Sequence, residues 1–347
     1  MQKKPEKNSV RSIAQMLDLS AMTVTRAMNG HPGVSEKTRR QVMEAIHRLG
    51  YDYRLKSKSL ARERKYNIAI HCGNQDIYGD WMMGFFMKLH YLVVKRFRAE
   101  GYCCRLVDLD AAPTEGLEIL DDCDGLIVLG KLKNYTARAL RERCSWLKVI
   151  SVFGSIDDAV TVTPDDFAGG AMAARKLVEF GHSRCVLFTV LDEECYLRRA
   201  GGFLTNMRVL APGSRVEVVE YHTHDTQEAA DREKRRLLDE VLRGTESLPT
   251  AFFAPNSYAA FFLYNHLLAN GYKVPEDFSV IGYDNDSPCG SFPARLSSIG
   301  FRLKDIGDQL VRTFKYYDEE IAETITTVVI GNYYQEGVPV ETIARPK

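Results

Sequence analysis

With 347 residues, 45% of them apolar, the chain is too long for one ordinary domain and can bury at least one large core, so two or three globular units are expected. No run approaches the roughly 18 apolar residues of a membrane span, and the opening MQKKPEKNSV has no apolar stretch of the kind a secretory signal needs, so a cytoplasmic protein without a membrane partner is predicted. The net charge of zero hides a division: residues 1–65 hold 15 Lys+Arg against 6 Asp+Glu, a net of +9, and the other 282 hold 31 against 40, a net of −9.

A compact basic head on an acidic body suits binding to a phosphate backbone, because the head releases counterions that the body cannot. The eight cysteines, at 72, 103, 104, 123, 144, 185, 195 and 289, are scattered without a CxxC spacing and read as reduced thiols. Along the head, Ser9 is placed to cap a first helix whose apolar positions Val10, Ile13, Ala14 and Leu17 recur at helical spacing. Asp18 and Leu19 form a brief connection, and Ser20 caps a second helix that runs through Val24, Ala27 and Met28 to a stop at Asn29-Gly30. A third amphipathic stretch begins at Ser35, turns Val42, Ala45, Ile46 and Leu49 inward and ends at Gly50. Two short helices joined by so tight a turn predict a helix-turn-helix whose second helix enters the major groove. Ala21, Met22 and Arg26 are then the candidate base readers: Arg26 can bridge guanine N7 and O6, while Ala21 and Met22 offer apolar contact. Ser20, Thr23, Thr25 and Asn29 suit phosphate contacts or helix packing.

The stretch VRSIAQMLDLSAMTVTRAMNGHPGVSEKTRRQVMEAIHRLGY resembles the DNA-binding head of the LacI/GalR family in its order of IA, S-x-x-T-V-[ST]-R, NG-x-x-x-VS-x-x-T-R and LGY. It departs at Asp18, where many members carry Gly; Asp also tolerates the left-handed conformation. Residues 51–66, YDYRLKSKSLARERKY, read by themselves as a basic, weakly helical linker. The resemblance implies a hinge helix that folds on DNA and inserts a leucine into the minor groove, and Leu60 falls on that position. Tyr53-Arg54 and Ser57 depart from the family's usual residues there.

From Asn67 onward, apolar runs (NIAIHC, CRLVDL, DGLIVLG, LKVISVFG, CVLFTV, VEVVEY, TAFFAP and FSVIGYD) alternate with amphipathic stretches, including helices over 167–180 and 302–317. This alternation predicts an α/β body with parallel sheets, and the number of units fits two doubly wound lobes. The expected organisation is a head over 1–50, a hinge over 51–66 and a two-lobed effector-binding and dimerisation body over 67–347. Ligands of open parallel sheets bind beyond the carboxyl ends of strands. Asp165, Asp166, Asn256, Ser257, Asp284 and Asn285 lie there, although each also suits a cap or turn.

DDFAGGAMAARKLVEFGHSRCVLF, RRAGGF, the APNSYAAFFLYNHLLANGYKVPEDFSVIGYDN run and ARLSSIGF extend the resemblance through the body. It implies a periplasmic-binding-protein-like fold with three crossovers and effector contacts at Asp166, Arg199, Asn256 and Asp284, which suit hydroxyl-rich ligands. The body departs from the family at Ser257, where Asp is usual, and at Phe301, where Gln is common. Phe301 and Trp81 each have two readings, stacking on a ligand ring or packing in a core.

No GxSxG, P-loop, GxGxxG or HExxH occurs, and His222-Thr-His224-Asp225 lacks the helix-spaced partner of a metal site, so neither catalysis nor a cofactor or metal is expected. The expected partners are operator DNA, a second copy of the chain in a homodimer and a small polar effector, a sugar by preference. A purine-type co-repressor and a protein partner are the alternatives.

Overall fold

The computed structural model describes residues 10–28, 34–49, 66–73, 75–111, 116–144, 147–157, 159–222, 224, 226–244, 248–285, 296–317 and 327–336; for some helical residues, 25, 26, 46–49 and 75–83 among them, only the backbone is described. The chain falls into two compact units, Met1–Lys65 with Ala139–Leu147 and Tyr66–Arg138 with Lys148–Lys347.

In the first unit, α1 (Val10–Met16), α2 (Ala21–Met28) and α3 (Glu36–Leu49) form the three-helix head. Asp18 adopts a left-handed φ of 51°, which lets the chain turn between α1 and α2 without a glycine. Ser20 Oγ accepts from the Thr23 amide at 3.0 Å and Ser35 Oγ from the Thr38 amide at 3.1 Å, so both serines satisfy amides in the first turn of the helix that follows them. Ile13, Val24 and Val42 are completely buried and pack with Ala14, Ala27 and Ala45. These small side chains allow three short helices to close on one another.

In the second unit, one lobe has an all-parallel sheet of β1 (Asn67–Cys72), β2 (Cys103–Val107), β3 (Gly125–Gly130), β4 (Lys148–Phe153), β5 (Val160–Pro164) and β11 (Thr327–Ile330), in the order β11-β5-β4-β3-β1-β2. The other lobe has β6 (Arg184–Thr189), β7 (Arg215–Glu220), β8 (Ala251–Phe253), β9 (Ser279–Asp284), β10 (Ser297–Phe301) and β12 (Asn332–Gln335), ordered β12-β10-β9-β8-β6-β7, with β12 alone antiparallel. The helices between them are α4 (Gln75–Ala99), α5 (Asn134–Arg143), α6 (Asp166–Glu179), α7 (Glu194–Leu210), α8 (Gln227–Arg243), α9 (Ser257–Ala269) and α10 (Leu303–Lys315). β3, GLIVLG, is buried at all six positions, as expected of a central parallel strand covered on both faces. Its continuous apolar run therefore gave the strand without any alternation.

The chain passes between the lobes three times, after β5, after β10 and between β11 and β12. These crossings are tied together. The Asp165 amide donates to Ile330 O at 2.9 Å, Asn332 Nδ2 donates to Asp165 O at 2.5 Å, and the Tyr283 hydroxyl donates to Asn332 Oδ1 at 3.1 Å. The eight strand runs read from the sequence match β1–β4 and β6–β9; β5, β10, β11, β12 and the long α4 were not among them.

Helices α6 and α7 approach almost backbone to backbone. A Cβ on Gly170 would lie 1.9 Å from the carbonyl oxygen of Arg199, and one on Gly202 would lie 2.0 Å from that of Phe167. Gly170 and Gly202, one from each of DDFAGGA and RRAGGF, are thus spacers that bring the start of α6 within reach of a side chain on α7. Gly202→Ala should lower stability by about 1–3 kcal/mol through overpacking, read as a lower urea midpoint with an unchanged slope.

Candidate functional site

The head presents the start of α2. Ala21 is exposed and Met22 is 63% exposed, whereas Ser20 and Thr23 are joined by their hydroxyls at 2.8 Å and form the cap. Thr25 and Arg26 lie on the same helix, but their side chains are outside the described residues, as are Asn29 and Leu60 entirely.

In the body the structure brings Arg199 together with Asp166, which follows β5 of the first sheet, and with Asp284 at the end of β9 of the second, while Asn256 adjoins Pro255, whose carbonyl Arg199 contacts. Asp166 is the first residue of α6, directly after the capping residue Asp165, whose carboxylate accepts from the Ala168 amide at 3.0 Å. Arg199, on the second turn of α7, is 4% exposed. Its Nε donates to Asp166 Oδ1 at 2.8 Å and its Nη1 to Pro255 O at 2.6 Å; Nη1 also lies 3.1 Å from Asp284 Oδ1. The guanidinium lies over the Tyr283 ring, 3.8 Å from its centre. Burial pushes the Asp166 carboxyl up from its ordinary range, opposed by the charge and hydrogen bond of Arg199. Asp284 ends β9 with φ of 73° and Asn285 follows at 47°, so the chain turns sharply where Asp284 faces the cleft. Asp and Asn are the non-glycine residues that adopt this left-handed conformation most readily, so the turn is made without a glycine.

Asn256 has a double role. Its Oδ1 caps α9 by accepting from Ala259 N at 2.6 Å, and its Nδ2 faces the Tyr221 hydroxyl at 3.5 Å. Behind Tyr221 sits Lys234, 3% exposed, its ammonium 5.0 Å from the Tyr221 ring centre and 4.6 Å from that of Tyr258, with Asp231 at 3.5 Å. Burial pushes this lysine's pKa down, and Asp231 opposes the shift. No local pattern marks this support, because a lysine on an amphipathic helix reads as solvated.

Phe301 is a core residue. It is 5% exposed, and its ring meets Phe153 at 5.7 Å and Phe85 at 6.4 Å between ring centres. Its faces are covered where the chain crosses between lobes, so the packing reading replaces the stacking one. Trp81 lies on α4, with its side chain outside the described residues.

His222 and His224 both contact one carboxylate: Glu233 Oε1 is 3.1 Å from His222 Nδ1, and Oε2 is 2.9 Å from His224 Nε2. Among the described residues no group of three or more His, Cys, Asp or Glu is arranged to hold a metal ion. Nor is any described helix long and apolar enough to cross a membrane.

Residues 9–52 match the bacterial regulatory proteins of the lacI family, and residues 174–324 match the periplasmic binding protein-like domain. The chain belongs to the LacI family of transcription regulators. The HTH-type transcriptional repressor PurR of Mannheimia succiniciproducens is 25% identical over 312 residues, covering 88% of this chain and 90% of the relative. The transcriptional regulator CelR in its cellobiose complex superposes with a TM-score of 0.61 at 21% identity, over 96% of this chain and 99% of that one. The lac repressor dimer bound to operator and the anti-inducer ONPF gives 0.62 at 18%, over 97% and 100%. The family consists of DNA-binding regulators with an effector domain and not of enzymes, and these likenesses fix the fold as a helix-turn-helix head followed by a two-lobed α/β body.

Arg199→Met should destabilise the body by about 3–5 kcal/mol in urea unfolding, because Asp166 would be left buried without its cation. A second expectation concerns pH. Although burial pushes Glu233 up, the His222 amide and the two imidazoles hold it at about 2, below its ordinary 4.5. Its contribution to stability is therefore full above 4.5 and fades as pH falls toward about 2. The hydrogen bond that the His222 imidazolium donates to Glu233 raises His222 above 6.5, so that contribution is full below 6.5 and fades as pH rises through the elevated value. The melting-temperature gap between the native protein and Glu233→Gln should be widest between these limits and narrow on both sides.

Proposed function

We propose that this LacI-family regulator is a cytoplasmic repressor that binds a near-palindromic operator as a homodimer and is controlled by a small, hydroxyl-rich metabolite, a sugar, held in the cleft of the body. The observation that carries the effector reading is the meeting of Asp166, Arg199 and Asp284 where the two lobes join, with Asn256 directly after the Pro255 carbonyl that Arg199 contacts. Carboxylates and an amide accept from and donate to vicinal hydroxyls, and Arg199 keeps Nη2 beyond the three contacts made by Nε and Nη1. Cellobiose in the CelR complex supports the same class of ligand.

On the DNA side, Ala21 and Met22 supply apolar contacts and Arg26 a guanine contact, with Ser20, Thr23, Thr25 and Asn29 on phosphates or packing and Leu60 in the minor groove. A head lodged over a promoter blocks polymerase, and two heads on one dimer match the two halves of a palindrome. A ligand that alters operator affinity has its own affinity altered by the same factor when operator is bound.

The test begins by selecting the operator from random duplex DNA with the full chain, then measuring its affinity by fluorescence anisotropy. Log affinity should fall linearly with log salt, by about 0.9 per phosphate neutralised. Arg26→Ala should relax one base-pair preference by about 1–3 kcal/mol with little change in slope. Thermal unfolding against sugars, sugar phosphates and purines should find a sugar that raises the melting temperature and shifts operator affinity, with Asp284→Asn abolishing both effects. A purine hit would replace the sugar by a co-repressor of that class. A panel without any hit, beside intact operator binding, would overturn the effector reading in favour of a protein partner.

A further inference from the structure

Two polar contacts pass from one lobe to the other at the mouth of the cleft, and neither belongs to the effector set. Lys131 follows β3 in the first lobe, and its ammonium lies 2.5 Å from Glu193 Oε2 in the second. Ser155 follows β4 in the first lobe, and its hydroxyl donates to Glu194 Oε2 at 2.9 Å. All four residues stand just beyond the carboxyl ends of their strands, where the two sheets face each other.

Glu193 is the informative member. It occupies the position before α7, where a side chain would ordinarily accept from the first-turn amides, yet it makes no capping hydrogen bond. Its carboxylate reaches across to Lys131 instead, and its side chain is only 19% exposed. Lys131 starts from a fixed place. A Cβ on Gly73 would lie 1.6 Å from the Lys131 carbonyl oxygen, so β1 and the end of β3 are pressed together beneath it. Glu194 is also 3.7 Å from Arg198 on its own helix, which leaves its Oε2 for Ser155.

We propose that Lys131–Glu193 and Ser155–Glu194 form a clasp that holds the two lobes of the body closed on each other, and that it must open before a ligand can enter or leave the cleft. Glu194 begins the helix that carries Arg199, so movement of the clasp is transmitted along α7 to the buried guanidinium. The consequence for ligand exchange rests on the cleft being the effector site; the closure itself does not.

Closure can be read without any effector. Asn134 and Glu228 are exposed residues near the starts of α5 and α8, on opposite lobes. A donor and an acceptor dye attached there through genetically encoded azide residues, in the full chain, report the separation of the lobes. The ligand-free protein should show a single short-distance population. Glu193→Gln and Lys131→Met should each shift the closed-to-open ratio by roughly two- to five-fold toward open, as expected for a partly exposed ion pair. The charge-exchanged double variant Lys131→Glu with Glu193→Lys should restore the short distance. An open native protein, single variants that leave the distribution unchanged, or an exchange that fails to restore it while circular dichroism stays native would overturn the clasp. Failure of the effector reading would appear instead in the ligand panel, with the dye distances unaffected.

Discussion

Arg199 is the charge around which the second lobe is arranged. A buried guanidinium is costly unless nearly every donor finds a partner. Here the start of α6 supplies Asp166, the turn after β8 supplies the Pro255 carbonyl, the end of β9 supplies Asp284, and the Tyr283 ring covers one face. Three segments distant in sequence thus meet one side chain. The glycine-mediated crossing of α6 and α7 is what allows it, since a methyl group at Gly170 would strike the carbonyl of Arg199 itself. With two carboxylates to one guanidinium the cluster has acceptor capacity left over, so it favours a ligand that donates hydrogen bonds over one that brings further negative charge.

The same atoms border the connections between the lobes. Asp165 precedes Asp166 and bonds to both Ile330 and Asn332, while Tyr283, beneath the guanidinium, donates to Asn332. A ligand that repositions Asp166 or Asp284 acts within one or two residues of the crossover bonds that set the angle between the lobes. On the proposed reading no long chain of intermediate contacts is needed to carry the effect: the pair of lobes would be the two-state element, biased by a ligand where they join.

Much of this was legible in the amino-acid sequence because its signals were local. Ser20 and Ser35 announce helix starts through capping chemistry, and Ile13, Val24 and Val42 fall on helical spacing and prove buried. β3 is an uninterrupted apolar run of strand length, the form that buried parallel strands take. β11 and β12, by contrast, are four residues each and gain their place only from neighbours far along the chain. The candidate site residues were proposed from position after strands and from resemblance, whereas the contacts of their neighbours had no local signal. Phe301 lost its suggested role to Phe85 and Phe153, 216 and 148 positions before it, and Lys234 acquired one from rings contributed by β7's exit and α9. Such long-range meetings have no signature at a fixed spacing.

A body held shut by its own side chains changes what a ligand has to accomplish. If closure already dominates without effector, a ligand that only favours the closed form shifts little, because an equilibrium moves by the difference in affinity between two states and not by affinity itself. The larger response then belongs to a ligand that competes with the clasp or wedges the lobes to a different angle. Lys131 and Glu193 stand at the entrance, so an approaching polar ligand meets them before it reaches Arg199 and Asp284. Because the ion pair is partly exposed, its attraction is screened by salt, while the buried Asp166–Arg199 contact is screened far less. Ionic strength should therefore act on closure and on recognition unequally, which separates the entrance from the binding cluster by physical means alone.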